Sequence, residues 1–132
     1  MNQVIATTKA PSALGPYSQA VKCGNTVYCS GQIGLNPGTG ELASGVQNQA
    51  KQALSNLKAV LKKAGFAPAE IVKVTIFMTE IANFQLVNQV YGEFFADSKV
   101  LPARSAVGVQ ALPAGALVEI EAIAEKNEKE TM

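Results

Sequence analysis

The sequence predicts an α+β sandwich in which two helices pack on one face of a mainly antiparallel, mixed sheet. Three observations carry this. Apolar residues recur at helical spacing in two separate windows, near residues 46–64 and 83–95. Residues 71–79, IVKVTIFMT, alternate with the period of a strand. The remaining apolar runs are short and lie before the first window and after the second. The resulting order is strands, helix, strand, helix, two strands.

Between Ile5 and Leu35 short apolar runs are broken by Gly and Pro, and TVYCSGQIGL is the strongest strand candidate. NPGTGE follows, dense in turn formers, and reads as the loop at the end of a hairpin. The first helix is expected from about Val46 to Ala64, with Val46, Ala50, Ala53, Leu54, Leu57, Val60, Leu61 and Ala64 on its buried stripe. Gln47, Lys51, Asn56, Lys58, Lys62 and Lys63 should cover the rest, and Gly65 should stop it. In the next strand Val72, Val74, Ile76 and Met78 should face the helices, and Lys73, Thr75, Phe77 and Thr79 the other side. The second helix is expected from about Asn83 to Phe95, with Phe84, Val87, Asn88, Tyr91 and Phe94 or Phe95 on one stripe. Ala103–Val109 and Leu117–Ala124, joined by QALPAGA, should be the last two strands. One domain is expected over residues 1–125, with a short charged tail at 126–132.

A chain of 132 residues suits one core of ordinary size. With 48% hydrophobic and only 16% charged residues, there is little charge to cover the surface. The second face of the sheet is semi-apolar and has no helix left to cover it. Self-association into a ring would bury it, so a homotrimer is expected. A net charge of +1 gives no electrostatic reason to seek nucleic acid or acidic lipid. No segment reaches membrane-span length, and the N-terminus lacks the apolar core of a signal peptide. Cys23 and Cys29 have no Cys-x-x-Cys spacing and no histidine to join them. That argues against a metal site or a disulfide and for reduced thiols in a cytoplasmic protein.

Arg104 is the sole arginine, set in the apolar run LPARSAVGV, while the other ten basic residues are lysine. A guanidinium is permanently charged and offers a planar fork that grips a carboxylate with two hydrogen bonds. Strand alternation puts Arg104 with the small residues Ala106 and Gly108, which leave space around the guanidinium. The plain alternative is a cross-strand ion pair with Glu119 or Glu121 in the final strand, LVEIEAIA. Those two carboxylates share a face with Leu117 and Ile123, where desolvation and mutual repulsion would raise a pKa toward a proton-accepting role; a solvated strand edge is the plain alternative. Whether they meet Arg104 depends on the register of the hairpin expected between these last two strands, and a neighbouring subunit could also bring them together. Ser30 and Gly31 end a strand, Tyr17 follows Pro16 in a rigid turn, and Asn88 carries an amide on an apolar stripe. Each has an ordinary structural explanation when taken alone.

Together, GPYSQA, SGQIGLNPGTGEL, AKQALSNLKAVLKKAG, VNQVYGEFF, LPARSAVGV and VEIEAIA resemble, in order and spacing, the RidA (YjgF-type) family of enamine/imine deaminases. The resemblance runs from about Ile5 to Glu125. It implies a chorismate-mutase-like α+β domain assembled as a homotrimer, with a ligand cleft at each subunit interface. It also implies hydrolysis of 2-iminobutanoate and 2-iminopropanoate to 2-oxo acids and ammonia, with no metal or organic cofactor. The family's carboxylate-binding arginine falls on Arg104 and its acidic residue on Glu119, the expected catalytic pair. Its substrate-binding positions fall on Tyr17, Ser30, Gly31 and Asn88, with backbone help near Ala106. Many relatives carry cysteine where this chain has Ala106. Two other functions stand beside this one: a carboxylate-binding regulatory trimer without turnover, and an endoribonuclease or translation inhibitor. The lack of histidine and the near-zero net charge argue against the last.

Overall fold

The computed structural model describes residues 1–127. Among them the chain forms β1 (Asn2–Ile5), β2 (Ala20–Cys23), β3 (Thr26–Ile33), α1 (Gly45–Ala64), β4 (Ile71–Met78), α2 (Phe84–Phe94), β5 (Ala103–Gly108) and β6 (Val118–Glu125). The tail expected at 126–132 lies, from residue 128 onward, outside the described residues. No described helix is long and apolar enough to cross a membrane.

All six strands share one sheet in the order β1-β2-β3-β6-β4-β5. Neighbours are antiparallel except β4 and β5, which run parallel. The exception follows from α2, because a strand that returns through a crossover helix lies parallel to its predecessor. The last two strands follow one another through QALPAGA as expected, but they do not pair as a hairpin: β6 pairs with β3 and β4, and β4 stands between β5 and β6. The physical reason lies in β6 itself. Val118, Ile120, Ala122 and Ala124 are all buried on one face, so this strand gains most from a central place with both edges paired.

Helix α1 forms where the apolar stripe predicted it, and Gly65 stops it in the left-handed region (φ 88°), its N–H reaching the carbonyls of Leu61 and Lys62. Every residue of the predicted stripe is buried. Leu54, Leu57 and Leu61 are fully covered, so truncating any of them to Ala would cost about 2–5 kcal/mol. Asn56, expected on the outer face, is instead buried. Its Nδ2 donates to the carbonyls of Ile33 (3.1 Å) and Leu35 (2.9 Å), tying the helix to the end of β3. The NPGTGE segment does turn, with Asn36 Oδ1 accepting from the Gly38 and Thr39 N–H groups. Its hairpin shrinks to the single bridge Leu35–Leu42, because the chain enters α1 rather than a return strand.

In β4 the alternation holds from Val74 onward, with Val74, Ile76 and Met78 buried. Val72 does not follow it and is 46% exposed, while Ile71 is buried in its place. A register shift against β6 between Ile71 and Lys73 reverses the phase, as one extra residue in a strand must.

Close approach of sheet and helix fixes one glycine. A Cβ added at Gly34 would lie 2.5 Å from Gln49 Cα, in the backbone of α1. Gln49 is itself committed, its Oε1 accepting from the Leu117 N–H at 2.8 Å. Gly34→Ala must therefore push α1 off the sheet, and a loss of about 1–3 kcal/mol is expected, read as a lower urea midpoint at unchanged slope.

Candidate active site

The position of Arg104 follows from strand pairing. It stands opposite Val74 on β4, so its side chain rises on the same face as the buried Val74, Ile76 and Met78, toward the helices. There α2 receives it. Arg104 Nη1 donates to Asn88 Oδ1 at 2.8 Å, and Cζ lies 5.2 Å from the Phe84 ring centroid and 4.6 Å from that of Tyr91. Phe84, Asn88 and Tyr91 are spaced i, i+4, i+7, one seam of the helix. Among the described residues no carboxylate pairs with Arg104; the ion pair present is Lys126 with Glu70 at 3.2 Å. The cross-strand bridge to Glu119 or Glu121 therefore does not form.

Strand β5 ends the sheet, leaving its outer edge without a partner strand among the described residues. The Val109 N–H donates to the Met78 carbonyl at 2.8 Å. Alternation along the strand then turns the N–H groups of Ala106 and Gly108 to that open edge.

Glu119 lies on the other face. It is opposite Phe77 on β4 and Ile33 on β3, half-buried, with Glu121 two residues on and facing the same way. Burial holds the Glu119 carboxyl above its ordinary range, and the negative charge of Glu121 adds to the rise. Beside it β3 bulges: Cys29 pairs with Ala122 and Gln32 with Ile120, so Ser30 and Gly31 together face the one residue between. Gly31 backs directly onto Glu119, and an added Cβ would sit 2.8 Å from Glu119 Cδ. Only glycine leaves the carboxylate room. Ser30 is anchored twice, its N–H donating to the Gln19 carbonyl (2.9 Å) and its hydroxyl to the Ser18 carbonyl (2.6 Å). The hydroxyl is thus left with acceptor lone pairs only. Tyr17 is 54% exposed on the loop before β2, with its backbone N–H turned to the Gly15 carbonyl.

The expected residues therefore fall into two groups on opposite faces of one sheet. Arg104 and Asn88 lie on the helix side, with Ala106 at the edge beside them; Glu119, Gly31 and Ser30 lie on the open side. Neither of two clefts on the subunit surface unites them. A cleft of about 550 Å³ lies between α1 (Ser55, Lys58, Lys62, Lys63) and the segment Thr7–Lys9. Another of about 350 Å³ takes in Tyr17 and Ser18 but neither Arg104 nor Glu119. No group of three or more His, Cys, Asp or Glu side chains clusters as metal ligands among the described residues.

Three residues around these groups carry more than the sequence reading assigned. Phe84 and Tyr91 belong to the predicted apolar stripe, and their spacing about Asn88 is the sequence signal for a shared partner. Gln19, inside GPYSQA, is buried. Its Oε1 accepts from the Thr7 N–H (2.7 Å), and its Nε2 donates to the Thr7 (3.1 Å) and Pro11 (2.7 Å) carbonyls. It fixes the loop that presents Tyr17 and Ser18. Cys29 is buried, which pushes its thiol up to about 12 and makes it inert, whereas Cys23 is exposed.

The raised Glu119 titration has a testable consequence. If this carboxylate accepts a proton during turnover, activity must fall as pH drops through a value above the ordinary glutamate range. Glu121→Gln removes the second cause of the rise, so the acidic limb of kcat/KM should move to lower pH. A limb that stays put in the pH profile of that variant would detach Glu119 from it.

Residues 7–126 match the family model described as Endoribonuclease L-PSP. The chain is 51% identical over 125 residues to the 2-iminobutanoate/2-iminopropanoate deaminase of Mus musculus, covering 94% of this chain and 91% of that one. Among solved structures, TdcF of E. coli with bound serine superposes with a TM-score of 0.91 at 43% identity, covering 95% of this chain and 99% of that chain. RidA of an Antarctic Psychrobacter superposes with a TM-score of 0.90 at 47% identity, covering 94% and 99%.

Proposed function

The chain belongs to the RidA/YjgF (endoribonuclease L-PSP) family, and from that premise we propose that it hydrolyses 2-imino acids, with Arg104 as the carboxylate grip and Glu119 as the base. The activity is that of a 2-iminobutanoate/2-iminopropanoate deaminase, the function of relatives about half identical over nearly the whole chain. The observation that carries the assignment of Arg104 is its unpaired charge. A half-buried guanidinium with no carboxylate paired to it among the described residues, next to a strand edge that none of them pairs, is suited to an incoming anion. The serine bound to TdcF is a small α-carboxylate of the same class.

In the reaction Arg104 binds the substrate carboxylate, with the Ala106 N–H assisting. Glu119 takes a proton from water as its oxygen adds to the imine carbon. Glu119 returns that proton to nitrogen, giving the neutral carbinolamine, and then carries the hydroxyl proton to the amine as the C–N bond breaks, so that ammonia leaves and a 2-oxo acid remains. Gly31 leaves Glu119 free of its neighbour, while Ser30, Asn88 and Tyr17 hold substrate, water or the departing nitrogen. The imine is already electrophilic and hydrolyses unaided, so the required acceleration is modest.

One subunit cannot supply both catalytic groups to one molecule of substrate, since β4 and the thickness of the sheet separate them. The site is therefore read as an interface between subunits of a homotrimer, the β5 edge with Arg104 from one and the open face with Glu119 from the next. The exposed Tyr28 and half-buried Phe77 and Ile123 on that face supply the apolar area such an interface needs.

The test generates the imine in situ, by a pyridoxal-phosphate dehydratase acting on threonine in the presence of semicarbazide. The wild-type protein should divert the imine to 2-oxobutanoate and suppress semicarbazone formation. Tight binding of 2-oxobutanoate without diversion would leave a carboxylate-binding regulator instead.

A further inference from the structure

We infer that Tyr91, seconded by Phe84, is a positioning residue for Arg104: aromatic faces on α2 hold the guanidinium in the role a counter-ion would otherwise fill. The choice of ligand below rests on the deaminase reading; the positioning itself does not.

Three features of the seam point this way. The guanidinium carbon lies within cation–π distance of both rings, the Tyr91 ring being the nearer at 4.6 Å. Asn88, between them on the helix, accepts from only one guanidinium nitrogen. The seam thus holds the cation while leaving most of its N–H groups unused, whereas a carboxylate in the same place would occupy the fork intended for the ligand. The third feature is the Tyr91 hydroxyl, which is buried and has no hydrogen-bond partner among the described residues. Among the described residues the ring face, not the hydroxyl, is therefore what Tyr91 offers Arg104. Tyr91 also packs against Phe95, the rings tilted by 49° with centroids 4.7 Å apart, which fixes the ring that the guanidinium rests on.

A residue that positions the grip without touching the reacting atoms should move substrate affinity and spare the chemical step. Tyr91→Leu should therefore raise KM for the 2-imino acid, and Kd for 2-oxobutanoate by calorimetry, by about 2- to 30-fold, with kcat within about twofold of wild type. Tyr91→Phe keeps the ring and should match wild type in both. A merely structural role would instead lower the melting temperature and leave KM of the folded fraction unchanged.

Because Arg104 is the only arginine, an arginine-directed dicarbonyl reports on it alone, whether or not imine turnover is found. Adduct formation followed by mass spectrometry should be at least about threefold faster in Tyr91→Leu than in wild type or Tyr91→Phe. If Tyr91→Leu does not fold, Phe84→Leu is read by the same two measurements. Unchanged KM and unchanged modification rate in a folded leucine variant overturn the inference, as does a Tyr91→Phe protein as impaired as Tyr91→Leu. A wild type that neither turns over nor binds the oxo acid defeats the deaminase reading, and the modification rates then decide the inference by themselves.

Discussion

Arg104→Ala is expected to lower kcat/KM for a 2-imino acid by about 10²- to 10⁴-fold, since it removes two charge-assisted hydrogen bonds worth about 1.5–3 kcal/mol each. The fold should survive. Arg104 reaches the helix layer from an edge strand, makes no described ion pair, and its loss leaves only the Asn88 amide to find water. Circular dichroism and the melting temperature should stay close to wild type while imine clearance in the semicarbazide assay disappears. Arg104→Lys separates charge from geometry. A lysine keeps the positive charge but not the fork, so it should recover part of the affinity and little of the orientation. A folded alanine variant that clears imine at the wild-type rate would remove Arg104 from the mechanism.

Glu119→Gln should reduce kcat by about 10²- to 10⁴-fold, the usual contribution of a positioned base, with binding of 2-oxobutanoate retained. The kinetic pattern is thus the reverse of that expected for Tyr91→Leu. Its effect on stability has a definite sign. Glu119 titrates above its ordinary range in the fold because of burial and Glu121. The stability it contributes is therefore fully present below the unfolded-state pKa and is lost as pH rises through the folded-state value. At neutral pH the ionised carboxylate works against the fold, so the neutral amide should be at least as stable as wild type in a urea titration. An unchanged rate would leave Glu119 a structural residue beside the β3 bulge. The two inactive variants also test the interface together. Mixed after unfolding, they should regain activity, approaching about a quarter of wild type for random assembly, because some interfaces then combine a native Arg104 with a native Glu119. No recovery would return both residues to a single subunit.

Much of the fold was legible because burial imposes periodicity on the sequence. The stripe from Val46 to Ala64 gave α1 nearly to the residue, and the glycine at 65 gave its end. Alternation gave β4 from Val74 on, but not the phase of Val72, because a bulge leaves no mark in a short apolar run. Asn56 departs from its predicted outer face for a related reason. A polar residue beside the stripe reads as surface unless the carbonyls it will cap are known, and those belong to Ile33 and Leu35 on another element.

The chemistry divides in the same way. From the sequence by itself came the identities: one arginine among small neighbours, a paired carboxylate strand, a glycine at the end of SGQ, and the resemblance that joined them. Pairing order was not there to read, since β6 next to β4 and β3 is a choice among strands of similar pattern, decided by which one best fills the centre of the sheet. That choice puts Arg104 under α2 and Glu119 on the opposite face. It also gives the guanidinium two aromatic rings and an amide, with no counter-ion among the described residues. Side-chain type is local and survives in the sequence; which charge meets which, and which stays unpaired, is a property of long-range packing and exists only once the sheet has formed.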